Sequence, residues 1–137
     1  MNVLGIGTEI TECLRVAKII DRHGERFIDR VYTAAETRYC HTRKHATQYF
    51  TAFWAAKEAV FKALNVSPGR GIRAVDLELR PAKGRKFTVA LRGALRDVVE
   101  QQGVREIIVT LSYSRSHAVA CAMALGEAKP PDDGHPV

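Results

Sequence analysis

The sequence predicts an α+β domain with a mainly antiparallel sheet, because strand-like segments lie at both ends of the chain and a long helical segment lies between them. Alternating patterns occur at Val3 to Ile10, at Glu106 to Leu111 and at Ala118 to Leu125. Gln48 to Leu64 is rich in Ala, Lys and Glu and has no Gly or Pro, which is typical of a helix. Strands and helices do not alternate as βαβ units, so a parallel sheet is not expected.

The first predicted strand has two different faces. One face carries Leu4, Ile6, Thr8 and Ile10, and the other carries Gly5, Gly7 and Glu9. Two glycines on one face of a strand predict the close approach of another backbone or a ligand.

Helical periodicity begins at about Leu14, and Gly24 is a candidate break between two helical pieces. Thr33 and Glu36 have the spacing of a capping box, which predicts the start of another helix. A short helix is expected at Ala94 to Gln102, closed by Gly103.

An antiparallel hairpin is predicted in the part of the chain between the long helical segment and the short helix. Val75 to Leu79 and Phe87 to Leu91 both alternate, and the intervening Pro81 to Lys86 is rich in turn residues. The residues after 126 include three prolines and two adjacent aspartates, so residues 127–137 are expected to form a flexible tail.

Length and composition indicate one ordinary globular domain. The chain has 137 residues, of which 46% are hydrophobic and 26% charged. No stretch is long and apolar enough to span a bilayer, and the first ten residues do not have the pattern of a secretory signal. The three cysteines are far apart and unpaired in pattern, which favours free thiols and a cytoplasmic protein.

The net charge of +6 and a pI near 9.5 indicate an anionic partner. Nucleic acid, a phosphate-rich cofactor and an acidic protein are all anionic partners compatible with this net charge. The choice among them requires motifs.

Glu58 and Lys62 are four residues apart on the predicted long helix and therefore lie on one side of it. In most helices this spacing reflects a surface ion pair, which contributes roughly a few tenths of a kcal/mol to stability. Alternatively, Glu58 binds a hard cation and Lys62 contacts phosphate. Mg²⁺ uses one or two carboxylates together with phosphate oxygens and water, and Glu9 at the end of the first strand could supply the second carboxylate.

Two ordered segments, Gly5-Ile-Gly-Thr-Glu-Ile10 and Trp54-Ala-Ala-Lys-Glu-Ala-Val-Phe-Lys-Ala-Leu64, resemble the signatures of the holo-acyl-carrier-protein synthase family. Val109 to Ser112, with Arg115 and Ala118 to Ala122, is similar to the closing hairpin of that family. The resemblance runs from about residue 1 to residue 125. It implies a single-domain 4'-phosphopantetheinyl transferase fold over residues 1–126, with an antiparallel sheet packed on a long central helix.

The resemblance implies an activity as well. Members transfer 4'-phosphopantetheine from coenzyme A to a serine of apo-acyl-carrier protein and release 3',5'-adenosine diphosphate. Mg²⁺ held by two acidic residues, here Glu9 and Glu58, neutralises the pyrophosphate as its bond breaks. Glu58 and Lys62 are accordingly the expected catalytic residues. Lys62 is also the expected phosphate contact, with Lys57 as a weaker candidate.

Further contacts with coenzyme A are expected in two other segments. Gly69 and Gly71, in a loop longer than the usual Gly-Thr-Gly, could present backbone N–H groups to a phosphate. Ser112 and Tyr113 belong to the closing hairpin, and Tyr113 stands where many members carry His. Position 9 is also a departure, since the family normally has Asp there.

A basic stripe follows the first helical segment, at spacings of three, four and four residues. Its members are Arg15, Lys18, Arg22 and Arg26. A solvated charged face is the ordinary interpretation of such a stripe. The resemblance implies that it docks the acidic carrier protein, and that the small members form homotrimers with active sites between subunits.

Two alternatives stay open at this point. Glu9 and the altered loop are compatible with a degenerate relative that binds coenzyme A or carrier protein without turnover. A basic nucleic-acid-binding module accounts for the net charge, but the interleaved aromatic and basic residues of such surfaces are missing, so neither nucleic acid nor a membrane is an expected partner.

Overall fold

The computed structural model describes residues 1–84 and 86–127 and shows one five-stranded antiparallel sheet with helices packed against it. The predicted α+β class is therefore confirmed. The elements in chain order are β1 (Asn2–Glu12), α1 (Cys13–His23), α2 (Glu25–Val31), α3 (Ala34–His41), α4 (Ala46–Leu64), a 3₁₀ turn (Ala74–Asp76), β2 (Leu77–Pro81), β3 (Phe87–Leu91), α5 (Gly93–Gln101), β4 (Val104–Tyr113) and β5 (His117–Gly126).

The strand order is β1-β5-β4-β3-β2, so the first strand of the chain pairs with the last. Glu9 on β1 lies opposite Ala120 on β5, and Ala120 lies opposite Leu111 on β4. The predicted β2–β3 hairpin is confirmed, with Leu77 opposite Leu91.

The long helix α4 packs directly on the glycine face of β1, as the two glycines predicted. A Cβ atom at Gly5 would overlap the carbonyl oxygen of Ala63, and one at Gly7 would overlap that of Ala59. Small residues on both elements therefore allow two backbones to approach closely. This contact fixes the position of Glu9, two residues further along the same strand face, relative to α4.

Substitution of Gly7 by Ala should lower the free energy of unfolding by about 3 kcal/mol or more, because backbone must move to admit the methyl group. Gly84→Ala is the matched control. Gly84 has a positive φ of 77° but open space around it, so only its backbone conformation is penalised, at about 1–2 kcal/mol. Urea unfolding of both variants measures the difference, and equal losses would contradict the packing explanation.

Two of the predicted helix boundaries have a clear local cause. Gly24, at φ 57°, separates α1 from α2. The capping box is present at the start of α3, where Glu36 N donates to Thr33 Oγ1 at 3.2 Å and Thr33 N donates to Glu36 Oε1 at 2.8 Å. By contrast, β2 begins at Leu77 and not at residue 75, because residues 74–76 form the 3₁₀ turn.

The sheet surface turned away from α4 is apolar and uncovered in a single chain. Ile6 and Ile10 on β1 are 59% and 65% exposed, and Val119 on β5 and Ile108 on β4 are also exposed. Ile6, Met123 and Ile108 lie side by side across the three strands. We call this surface the outer face; patches of this kind commonly mark sites of protein association.

Two further expectations concern the ends of the chain and membranes. Residues 128–137 of the predicted tail lie outside the described residues. In the described ranges, none of the helices combines the length and the apolar character that crossing a bilayer requires.

Candidate active site

The structure brings Glu9, Glu58 and Lys62 together at the edge of the sheet, where β1 runs along α4. Lys62 Nζ lies 3.3 Å from Glu9 Oε1 and donates a hydrogen bond of 3.0 Å to the carbonyl oxygen of Thr8. Glu58 is one helical turn before Lys62 on the same side of α4. We call these three residues the carboxylate cluster.

The two carboxylates of this cluster influence each other electrostatically. Burial raises the pKa of Glu58, and the nearby charge of Glu9 raises it further, while Lys62 and Arg15 act in the opposite direction. Burial is the larger of the two causes that disfavour the carboxylate form of Glu58, and Lys62 and Arg15 offset them only in part.

The donor set of the cluster fits Mg²⁺ better than a metal that needs an all-protein cage. Within residues 1–84 and 86–127, no three His, Cys, Asp or Glu side chains are grouped as metal ligands. Two carboxylates leave most of an octahedral coordination shell open for phosphate oxygens and water, which is the usual arrangement around Mg²⁺ in phosphate-processing sites.

Lys57 is buried and bonded within the protein, which corrects the expectation that it contacts coenzyme A. Its side chain is 3% exposed, and its Nζ lies 2.8 Å from Glu36 Oε1. The same ammonium group donates to three backbone carbonyl oxygens, those of Val31 (2.7 Å), Ala74 (3.0 Å) and Leu77 (2.6 Å). An ammonium group has only three N–H donors, so none is left for a substrate.

Glu36 completes this buried polar cluster from the other side. Its carboxylate accepts hydrogen bonds of 2.8 Å from the backbone N–H of Thr33 and from that of Leu79. Burial lowers the pKa of Lys57, and the Glu36 carboxylate partly offsets that effect. The pair thereby joins the start of α3, the middle of α4, the 3₁₀ turn and β2.

The loop after α4 keeps only part of its predicted phosphate-binding potential. Gly69 N donates to the carbonyl oxygen of Ile72 at 2.7 Å, and Ile72 N donates back to Gly69 at 3.0 Å. The Gly69 N–H is therefore engaged within the loop, which corrects the expectation that it is offered to a phosphate. Gly71, exposed and at φ 89°, stays a candidate.

Ser112 and Tyr113 line a different space, which we call the aromatic cavity. It has a volume of about 450 Å³ and also involves Tyr39, Tyr49 and Lys86. The rings of Tyr49 and Tyr113 lie 5.1 Å apart, and burial together with the neighbouring Tyr49 raises the pKa of Tyr113. A cavity with aromatic walls and a lysine suits a flat, negatively charged ligand.

The carboxylate cluster and the aromatic cavity lie on opposite sides of α4. Tyr49 and Glu58 are nine residues apart, which corresponds to a rotation of about 180° around a helix with 3.6 residues per turn. Within one chain, a single small ligand therefore does not reach both sets of predicted residues.

A third space, which we call the apolar cavity, adjoins the carboxylate cluster. Glu58 lines it together with Trp54 and Phe61 of α4 and with Ile72 and Val75 of the following segment, and its volume is about 450 Å³. None of the motifs described above predicts this cavity. The spacing of Trp54, Glu58 and Phe61, four and three residues apart, was a signal that could have placed Trp54 and Phe61 beside Glu58.

The predicted basic stripe is exposed but is divided between two helices. Arg15, Lys18 and Arg22 lie on α1, while Arg26 lies on α2, beyond the break at Gly24. Arg15 is close enough to Glu58 to lower its pKa, so this basic surface begins beside the carboxylate cluster.

A family model described as the 4'-phosphopantetheinyl transferase superfamily matches residues 5–122. A relative from Rhodopirellula baltica, a holo-[acyl-carrier-protein] synthase, is 40% identical over 120 residues, covering 88% of this chain and 95% of the relative. The structure of a Plasmodium yoelii acyl carrier protein synthase with ADP bound is 28% identical, with a TM-score of 0.79 over 92% of this chain and 97% of that one. The fold is also similar to that of a Neisseria meningitidis holo-[acyl-carrier-protein] synthase, at 22% identity and a TM-score of 0.82 over 90% of this chain and 99% of that one.

Proposed function

The chain belongs to the 4'-phosphopantetheinyl transferase superfamily, and we propose that it transfers 4'-phosphopantetheine from coenzyme A to a serine of an acyl-carrier protein in a Mg²⁺-dependent reaction. The observation that carries this proposal is the carboxylate cluster, in which Lys62 Nζ lies 3.3 Å from Glu9 Oε1 and the half-buried Glu58 lies one helical turn before Lys62 on α4. The 40% identity to a holo-[acyl-carrier-protein] synthase supports the carrier protein as acceptor, and membership of the superfamily supports 4'-phosphopantetheine as the group transferred.

In the proposed reaction the serine Oγ forms a bond to the phosphorus that carries pantetheine. The bond from that phosphorus to the pyrophosphate bridging oxygen breaks, 3',5'-adenosine diphosphate leaves with the electron pair of that bond, and the proton of the serine hydroxyl passes to solvent water. Glu9 and Glu58 would hold Mg²⁺, which would supply positive charge beside the pyrophosphate.

The protein's own groups position the reactants. Lys62, half-exposed and tied to Thr8 and Glu9, presents its ammonium group at the entrance of the cluster, where it can contact a phosphate oxygen. Gly71 is the remaining candidate for a backbone contact from the loop. Charge stabilisation and positioning are the main contributions that a protein makes to phosphoryl transfer.

We propose that the complete site forms between copies of the chain in a homotrimer. Two observations support assembly: the outer face exposes Ile6 and Ile10, and the aromatic cavity lies on the opposite side of α4 from the carboxylate cluster. A neighbouring copy would supply the aromatic cavity, with Ser112 and Tyr113, to the nucleotide end of a coenzyme A molecule held at Glu9 and Glu58. Association would also cover the exposed apolar residues.

The nucleotide product provides the test of this function. Incubation with coenzyme A and apo-carrier protein should release one 3',5'-adenosine diphosphate per carrier modified, and release should stop when EDTA removes the metal and resume when Mg²⁺ is added in excess. Release that persists unchanged in EDTA would contradict the metal dependence, and no release in any condition would contradict the transfer.

The basic surface is proposed to dock the acidic carrier protein, since opposite charges accelerate encounter and fix orientation. Arg22→Glu should raise KM for the carrier about fivefold to twentyfold, with an effect that shrinks at high salt because exposed charges are screened. Arg105→Glu, an identical charge reversal on β4 and outside the basic surface, is the control. Equal changes in both variants would show that only net charge matters.

A further inference from the structure

The ammonium group of Lys62 is held by two oxygen atoms of β1. It lies 3.3 Å from Glu9 Oε1 and donates a hydrogen bond of 3.0 Å to the carbonyl oxygen of Thr8. Glu9 is also one of the two carboxylates proposed above to hold Mg²⁺, together with Glu58. The carboxylate of Glu9 therefore has two candidate cations, one from the protein and one from solution.

We propose that Lys62 and Mg²⁺ compete for Glu9, so that the metal and a phosphate-bearing ligand bind the carboxylate cluster together and neither binds it well alone; this inference rests on the function proposed above. A divalent ion on Glu9 would lie close to the ammonium group, and two positive charges at short distance repel each other. The ammonium group must then leave Glu9 or gain a new negative partner. A phosphate oxygen beside the cluster provides that partner.

The side chain of Lys62 is able to make this exchange. It is 52% exposed, and its ion pair with Glu9 is accessible to water, which makes the pair weak and allows water to replace the ammonium group. Lys57, on the same helix, is the opposite case. It is 3% exposed and bonded to Glu36 and to three carbonyl oxygens, so its movement would leave buried polar groups without partners. Helix α4 therefore carries one fixed lysine and one movable lysine.

The exchange couples the two ligands in both directions. While Lys62 stays at Glu9, its charge opposes the metal. While the metal is not bound, the carboxylates of Glu9 and Glu58 repel a phosphate. Each ligand removes the obstacle to the other, so each raises the affinity for the other by the same factor. The metal is therefore expected to bind together with coenzyme A.

A supporting role for Lys62 is the competing interpretation. The ammonium group would then orient Glu9 toward the metal, as hydrogen-bonding partners of metal ligands commonly do. Competition is favoured because this donor is positively charged, so its charge opposes that of the metal. The two roles predict opposite signs: removal of the ammonium group strengthens metal binding under competition and weakens it under support.

Binding of Mn²⁺ tests this sign directly, since Mn²⁺ takes the same oxygen ligands as Mg²⁺ and the free ion is measured by electron paramagnetic resonance. Without nucleotide, Lys62→Met should lower the Kd of Mn²⁺ about threefold to tenfold. Lys62→Arg keeps the competing charge and should stay within about twofold of the unmodified protein. Arg105→Met removes an exposed positive charge from β4 and, as the control, should also stay within about twofold.

Added nucleotide gives the second measurement. Saturating 3',5'-adenosine diphosphate should lower the Kd of Mn²⁺ at least about tenfold in the unmodified protein, and by a clearly smaller factor in Lys62→Met. A Kd without nucleotide that is unchanged or raised in Lys62→Met would overturn the inference, and so would an equal effect of the nucleotide in both proteins. These binding measurements require no turnover. Failure of the proposed function is seen separately, as absence of transfer from coenzyme A by the unmodified protein.

Discussion

Glu58→Gln should lower kcat for phosphopantetheine transfer by about 10²–10³-fold, the range for removing one group that stabilises charge in a transition state. The amide keeps the size and hydrogen-bonding shape of the side chain but removes its negative charge. The loss matters here because Glu58 is half-buried, and burial together with the nearby charge of Glu9 raises its pKa. Without one of its two carboxylates, the cluster should hold Mg²⁺ weakly.

Steady-state transfer rates at several Mg²⁺ concentrations measure this effect, and added metal should restore part of the rate. Glu100→Gln provides the matched control, because Glu100 is exposed on α5 and pairs with Arg96 on the same helix at 3.2 Å. Glu9→Asp is expected to retain or raise the rate, since the shorter carboxylate restores the residue that the family normally carries. A Glu58→Gln enzyme with an unreduced rate would show that the assigned metal ligand is wrong.

Lys57→Met should lower the free energy of unfolding by about 3–5 kcal/mol, the usual loss when one partner of a buried ion pair is removed. Met fills a similar volume, so the loss comes from polar groups that have no partner afterwards. Glu36 keeps its two backbone donors but loses its counter-charge, and three buried carbonyl oxygens lose their donor.

Urea unfolding at equal protein concentration measures this loss, since assembly would otherwise alter apparent stability. Lys62→Met is the control for charge removal from α4. Its ammonium group is half-exposed, so its ion pair with Glu9 should contribute less than about 1 kcal/mol. A double variant, Lys57→Met with Glu36→Gln, should recover part of the stability, because it removes the uncompensated buried charge. Stability losses of similar size for Lys57→Met and Lys62→Met would contradict the structural role of Lys57.

Local patterns predicted much of the fold. The Thr33–Glu36 capping box depends on residues three apart, and the close approach of α4 depends on two glycines in one strand. Both are visible in a short stretch of sequence because neighbouring residues determine them. The strand order, with β1 beside β5, joins residues more than a hundred positions apart and was not predicted.

The role of Lys57 could not be predicted for the same reason. Its partners are Glu36, 21 positions earlier, and carbonyl oxygens up to 26 positions away, and backbone acceptors leave no mark in a sequence. Its neighbour in the motif, Glu58, points to a different side of the helix. Lys57 was expected to contact the substrate because it is next to Glu58 in the sequence. Its burial does not allow this contact.

The arrangement of the basic stripe and of the aromatic cavity depends on where a helix ends and on which side of a helix a residue lies. The basic stripe was projected onto one helix, but Gly24 divides it, so Arg26 belongs to α2. The separation of Tyr113 from Glu58 follows from the positions of their neighbours around α4. That separation becomes visible only when β4 is placed in the sheet.

The mass of the carrier protein after reaction tests the central claim most directly. Apo-acyl-carrier protein, incubated with this protein, coenzyme A and Mg²⁺, should gain the mass of one phosphopantetheine group, and a carrier whose acceptor serine is replaced by alanine should gain none. Absence of any gain across a range of metal concentrations, from a folded protein that still binds coenzyme A, would contradict the claim and identify the chain as a binding protein that has kept the fold without the transfer.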